Sequence, residues 1–269
     1  MSKTPLVSYI VATFNCGNRA NILNETTRLF KGESCEFIVM DGGSTDETLN
    51  ILRLENNLNI VESKRDEGIY DAWNKAIKYC KGEYISFIGV DDIPAVNFLK
   101  EVTTLLSQLD FTPSIIYGDG CYTRHQKYRY FKSYKSANLF YSQNPYFDIP
   151  HPGCFNHKSL FVNTNFNSSY KSAGDLDFYL RLRPVILKNQ PVYLPVLQVV
   201  IDADGLTHSV KGAKIFKKEV IEIEKKLNLK IKYSQLRLNM VLMMGKIPYL
   251  FETLRHLSWQ LRHDKKPPL

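Results

Sequence analysis

The chain has 269 residues, is 44% hydrophobic and 12% aromatic, and carries a formal net charge of +8. This length suits one large domain, or one domain with an appendage, and the apolar content excludes a disordered chain. Its five cysteines are odd in number and scattered without CxxC spacing, which argues against a disulfide framework or a zinc ribbon and fits reduced thiols in the cytoplasm.

The charge is unevenly placed. Residues 211–269 hold 14 Lys/Arg and 5 Asp/Glu, whereas 1–210 hold 21 and 22. A boundary near 210 is therefore expected, with a main domain before it and a basic helical extension over 211–269. The first apolar run, "LVSYIVATF", gives way to polar residues too early for a signal peptide. No apolar stretch approaches the roughly 18 to 20 residues of a membrane span.

In chain order, residues 6–14 read as a buried strand, 19–30 as a helix and 35–41 as a second strand. Residues 44–55 read as a helix opened by a Ser44/Glu47 capping box. A strand over 59–63, a helix over 68–80 and a strand over 84–90 follow, then a helix with Pro94 in its first turn. Residues 114–119 make a fifth strand. Strands alternating with helices predict a mostly parallel α/β sheet covered by helices. Beyond 120 the pattern loosens into strands and loops, before a helix over 174–183, a strand over 192–201 and helices from 213 onward.

Ligands of such sheets bind at the carboxyl ends of the strands. Here those ends carry Thr13-Phe14-Asn15, Asp41-Gly42-Gly43, Arg65-Asp66-Glu67-Gly68, Asp91-Asp92 and Gly118-Asp119. One carboxylate in such a place is routine turn chemistry; acidic groups from four strands on one rim point to a ligand. Ser44 can cap the turn after Asp41, leaving the Asp41 carboxylate for a base N–H or a ribose hydroxyl. There is no GxGxxG and no GxxxxGK[ST], so a dinucleotide or Walker-type ATP site is disfavoured. Asp92 is placed either to cap the helix at Pro94 or to join Asp91 on a hard cation, Mg²⁺ or Mn²⁺. Such a cation takes oxygen ligands and fills its shell from a diphosphate.

The stretches "VSYIVATFN", "VMDGGSTDET", "RDEGIYDAWNKAIKYCKGEYISFIGVDD" and "HPGCF…AGDLDFYLRL" resemble family 2 glycosyltransferases, inverting enzymes of the GT-A fold found in bacterial polysaccharide and O-antigen synthesis. The likeness runs from about residue 5 to 210. It implies a Rossmann-like sheet with a nucleotide-sugar half over about 1–120 and an acceptor half over about 121–210. Carried over, Thr13, Asn15, Asp41, Asp66 and Asn74 would bind the donor nucleoside. Asp91 and Asp92 would hold Mn²⁺ or Mg²⁺, and a late histidine, His208, would be a further metal or diphosphate contact. The family's DxD would place an aspartate at 89, where this chain has Gly89.

The resemblance also implies a catalytic base at the start of the helix after the acceptor region. "AGDLDFYLRL" offers Asp175, with Asp177 as fallback, and His151-Pro152-Gly153 would line the acceptor side. Arg65, Lys75 and Arg181 would either neutralise phosphate or form surface ion pairs. The tail over 211–269 has the make-up of a basic amphipathic helix for an anionic membrane surface, or of an accessory helix packed on the main domain. Nothing in it suits nucleic acid. The expected activity is inverting transfer from a UDP-sugar to a hydroxyl of a glycan or lipid-linked oligosaccharide, in the cytoplasm, peripheral on the inner membrane face. The rivals are a sugar nucleotidyltransferase, for which the phosphate loop is missing, and a sugar-nucleotide-binding protein that has lost catalysis, for which Gly89 speaks.

Overall fold

The computed structural model describes residues 4–62, 65–124, 126–131, 133, 151–203 and 209–231. His208 and the tail beyond 231 lie outside the described residues. Strand β1 (Val7–Thr13) pairs in parallel with β2 (Cys35–Asp41) on one side and β4 (Tyr84–Ile88) on the other, and β2 pairs in parallel with β3 (Leu58–Glu62). The chain thus steps outward through β2 and β3, then returns past β1 to place β4. This reversal is a topological switch point, and ligands of such sheets bind outside the carboxyl ends of the strands.

Past β4 the sheet becomes mixed. Its order is β3-β2-β1-β4-β8-β6-β9-β5, with β7 (Lys127–Phe131) paired to β6. The three-residue β8 (Phe155–His157) lies antiparallel between β4 and β6 (Ile115–Arg124). The long β9 (Val192–Asp202) runs parallel to β6, and the two-residue β5 (Ile93–Pro94) closes the edge against it.

Both faces of the sheet are buried, which is why the strands read as unbroken apolar runs. On one face Val7, Tyr9, Val11, Phe37 and Val39 pack with Leu23 of α1 (Ala20–Leu29) and Phe98, Leu99 and Val102 of α4 (Val96–Leu106). On the other, Ile10, Ile38, Met40 and Phe87 pack with Tyr70 and Trp73 of α3 (Ile69–Ile77) and with Leu176 and Phe178 of α5 (Gly174–Arg181). The short α6 (Arg183–Lys188) adds Ile186 to that face.

Two expectations need correction. The helix expected over 44–55 is only α2 (Thr48–Leu52), and Ser44 does not cap it. Ser44 instead donates from Oγ to Asp41 and accepts from the Asn15 amide, while Asp46 takes the amides of Gly17 and Thr48. Pro94 does not open α4; it sits in the edge strand β5, where a missing N–H is tolerated. The segment after residue 210 opens on a helix packed against the main domain. Val220 and Ile223 of α7 (Val210–Leu227) are fully buried in the same cluster as Tyr70 and Phe178. Among the described residues, no helix is long and apolar enough to cross a membrane.

Candidate active site

The carboxyl end of β1 turns at Asn15, which takes a positive φ of 47°. Asn15 is held there by the loop after β2: its amide donates to Ser44 Oγ at 2.8 Å and its Oδ1 accepts from the Thr45 amide at 2.9 Å. Asp41 organises the same loop. Its carboxylate accepts from Thr13 Oγ1 (3.0 Å), the amides of Gly43 (3.0 Å) and Ser44 (2.8 Å), and Ser44 Oγ (2.6 Å). A carboxylate has about four acceptor positions, and Asp41 is buried. The expectation of a free Asp41 carboxylate is therefore not met. Thr13 is likewise engaged, though it lines the cavity described next.

That cavity, of about 310 Å³, is lined by Thr13, Phe14, Gly42, Arg65, Asp66 and Ile69, among others. Phe14 lines it while remaining 60% exposed, so its ring face is open to a ligand. Asp66 is held by Lys75 Nζ at 2.7 Å, and the same ammonium reaches Asp71 at 2.7 Å. Lys75 is thus an ion-pair partner that orients Asp66. Gly68 opens α3 at φ 144°, and a Cβ there would meet Lys171 Nζ at 3.0 Å.

Beyond β4 the chain makes a tight acidic turn. The Gly89 amide donates to Asp92 Oδ2 at 2.7 Å, and the Asp92 amide returns to the Gly89 carbonyl at 3.2 Å. Asp92 caps this turn and not α4, whose N-cap is Ala95. Burial, then the Asp91 and Asp202 charges, push the Asp92 carboxyl up to about 7 against the lowering effect of the Gly89 and Asp202 amides. Asp91 is more exposed and pairs with Arg19 Nη1 at 3.0 Å. Gathered carboxylates of which one is driven toward neutrality make a site that a divalent cation would relieve. Oxygen donors suit Mg²⁺ or Mn²⁺, which need only one or two carboxylates when a diphosphate fills the shell. Among the described residues, no group of three or more His, Cys, Asp or Glu is arranged to hold a metal.

The two aspartates of α5 are separated by their surroundings. Asp177 is fully buried and paired one turn on with Arg181 Nε at 2.7 Å, which takes its carboxylate out of reach of substrate. Asp175 is half-buried and accepts from Tyr70 Oη at 3.2 Å. Tyr70 is buried in the core behind the cavity-wall residue Ile69, so its phenol ties α3 to the start of α5. Burial first, then the Asp175 charge, raise the Tyr70 pKa well above the ordinary tyrosine value, keeping the phenol a donor. A Cβ on Gly174 would lie 2.7 Å from the Tyr70 ring, so glycine is required for this approach.

Two candidates fall away from the surface they were expected to line. Asn74 spends its amide on the backbone of Phe166, donating to its carbonyl and accepting from its N–H, both at 2.9 Å. It is a clamp between α3 and the 160s loop and is not part of the cavity wall. His151 is buried among Trp73, Phe87 and Tyr179, with Nδ1 3.2 Å from Tyr179 Oη. Burial lowers its pKa, leaving a neutral core imidazole. Phe14 on the cavity wall, Tyr70 on Asp175 and Arg19 on Asp91 stand outside the expected set; an aromatic directly after a strand end was the readable signal for the first.

Residues 8–163, more than half of the chain, match the family described as glycosyl transferase family 2. A PGL/p-HBAD biosynthesis glycosyltransferase of Mycobacterium bovis is 29% identical over 187 residues, covering 66% of this chain and 69% of that protein. S. aureus TarS 1-349, solved in complex with UDP, is similar with a TM-score of 0.58 at 19% identity, covering 88% of this chain and 69% of that one. The mannosyltransferase PcManGT from Pyrobaculum calidifontis, in complex with GDP-Man and Mn2+, is similar with a TM-score of 0.53 at 17% identity, covering 94% of this chain and 73% of that one. Against the longer S. aureus TarS structure the chain spans 42% of the length. The mixed, partly parallel sheet flanked by helices is that of the GT-A fold, and the chain belongs to glycosyl transferase family 2.

Proposed function

We propose that the chain transfers a sugar from a nucleoside-diphosphate donor, a UDP-sugar, to a hydroxyl of a glycan or lipid-linked acceptor with inversion, in the making of a bacterial surface polysaccharide. The observation that carries this reading is the division of labour on α5. Asp177 is locked to Arg181, while Asp175 stands half-buried with its carboxylate on the Tyr70 hydroxyl. The acceptor O–H would give its proton to Asp175 as its oxygen attacks the anomeric carbon. The bond from that carbon to the diphosphate oxygen breaks in the same displacement, and UDP leaves with the bonding pair.

Phe14 would stack on the base, and Asp66 would accept from base or ribose donors, each lining the cavity. Asp91 and Asp92 would hold the divalent cation, which supplies charge compensation for the departing diphosphate when bound. UDP-GlcNAc bound to S. aureus TarS 1-349 supports the choice of a UDP-sugar. Exposed Lys211, Lys214, Lys218, Lys225 and Lys226 on α7 support an anionic membrane surface as the docking plane.

The test is UDP release from a panel of UDP-sugars with Mn²⁺. Asp175→Asn should lower release by about 10²- to 10⁴-fold while UDP still binds. Equal release by wild type and variant, with both binding UDP, sinks the enzyme reading in favour of a binding protein. Pelleting of the full chain with neutral liposomes as well as with anionic ones would sink the electrostatic membrane contact.

A further inference from the structure

The loop that delivers Asp175 is gripped from outside the matched family segment. Glu219, on α7, is buried. Its Oε1 accepts from the Lys171 amide at 2.7 Å, and its Oε2 accepts from the amides of Ser172 (2.9 Å) and Ala173 (2.8 Å). Ala173 is the N-cap of α5, and no side chain of its own turn caps that helix. A carboxylate is costly to bury, and these backbone donors offset that cost together with the positive end of the helix. The same loop is tied at two further points: Tyr170 Oη donates to Glu222 at 3.4 Å, and Lys171 Nζ donates to the Glu67 carbonyl beside the cavity wall.

We infer that Glu219 is a positioning residue for the transfer, fixing the 171–173 amides so that Asp175, two residues on, meets the acceptor hydroxyl in register. This rests on the reading of Asp175 as the base. An apolar side chain at 219 could fill the same space against Ile223 and Val220; it could not fix three consecutive N–H vectors at the mouth of α5. Glu219 touches no part of the cavity, so its effect should appear in turnover and not in donor binding.

The experiment is a double-mutant cycle on the full chain, using the UDP-sugar that wild type hydrolyses fastest, with Mn²⁺. Glu219→Gln presents an amide NH₂ to N–H groups and should lower kcat by about 10- to 100-fold, the scale of a misplacement of about 1 Å. The donor KM and the Kd for UDP should stay within about twofold. In the Asp175→Asn background the same substitution should be silent, since no base remains to misplace. Wild-type kcat in Glu219→Gln, alongside a slow Asp175→Asn, overturns the role of Glu219 and leaves the base reading standing. An equal loss in both backgrounds also overturns it, because general loosening acts with or without Asp175. Wild-type release by Asp175→Asn overturns the base reading and this inference with it. Should Glu219→Gln fail to fold, Glu219→Asp, which withdraws the charge by one methylene, should show a smaller loss of kcat with the same silence.

Discussion

Arg181→Met isolates a buried charge with little loss of volume. Asp177 is fully buried; its Oδ2 takes Arg181 Nε at 2.7 Å, and its Oδ1 has no hydrogen-bond partner among the described residues. Arg181 also donates from Nη2 to the Asn165 carbonyl at 2.8 Å, and its side chain is 27% exposed. Removing the guanidinium strands a carboxylate that is already half satisfied. Breaking a buried pair in this way costs about 3–5 kcal/mol, more than the pair itself contributes. For a chain of this size that is a fall in Tm of roughly 6–20 °C. Urea unfolding followed by tryptophan fluorescence measures it, since Trp73 sits in the same apolar cluster. Adding Asp177→Leu to Arg181→Met should recover much of the loss, because the uncompensated charge goes with it. A loss below about 1 kcal/mol in Arg181→Met, or no recovery in the double variant, would refute the assignment of Asp177 to a structural pair and return it to contention as the base.

Three further outcomes are expected. The Asp92 carboxyl, raised to about 7 in the fold against an ordinary 3.8, is disfavoured in its charged form; in EDTA, wild-type stability should therefore fall as pH rises from about 4 to 7. Asp92→Asn should lack this slope, the two proteins diverging by about 4 kcal/mol across that window, and parallel pH curves would contradict it. Phe14→Ala should weaken UDP binding by about 1–3 kcal/mol in calorimetry with Tm unchanged, since the ring is 60% exposed; unaltered affinity would remove Phe14 from the base site. Asn74→Ala should cost about 1–3 kcal/mol of stability by freeing the Phe166 amide and carbonyl with little change in UDP affinity, and a large loss of affinity in a stable variant would restore its expected nucleotide role.

The parallel half of the fold was legible because its strands are buried on both faces and therefore carry unbroken β-branched and aromatic runs. What the sequence concealed was short or long-range. Strands β5 and β8 have two and three residues, too few for any periodicity to show. Pro94 fits a helix start and an edge strand equally by local rules, and only pairing with β9 decides between them. Ser44 and Asp41 illustrate a competition for the same donors: Asp41 captured the amides of Gly43 and Ser44, and Ser44 was drawn into that turn in place of a cap. Asp175 was preferred to Asp177 on family likeness alone, although the Asp177/Arg181 spacing of one helical turn already hinted at an ion pair. Glu219 meets its amides across 46 to 48 positions of sequence, and no local pattern marks such a partner.

Gly89 acquires a second meaning from the turn around it. A Cβ at that position would stand 3.0 Å from Asp92 Oδ2 and 3.1 Å from Asp91 Oδ1. The aspartate that the family motif would place there would require those carboxylates to give way by a few tenths of an ångström. It would press a third anion between two that already repel, in a turn whose closing hydrogen bond runs from the Gly89 amide itself. An aspartate restored at 89 would therefore be felt first in the geometry of the turn, through the carboxylates that must move aside for it.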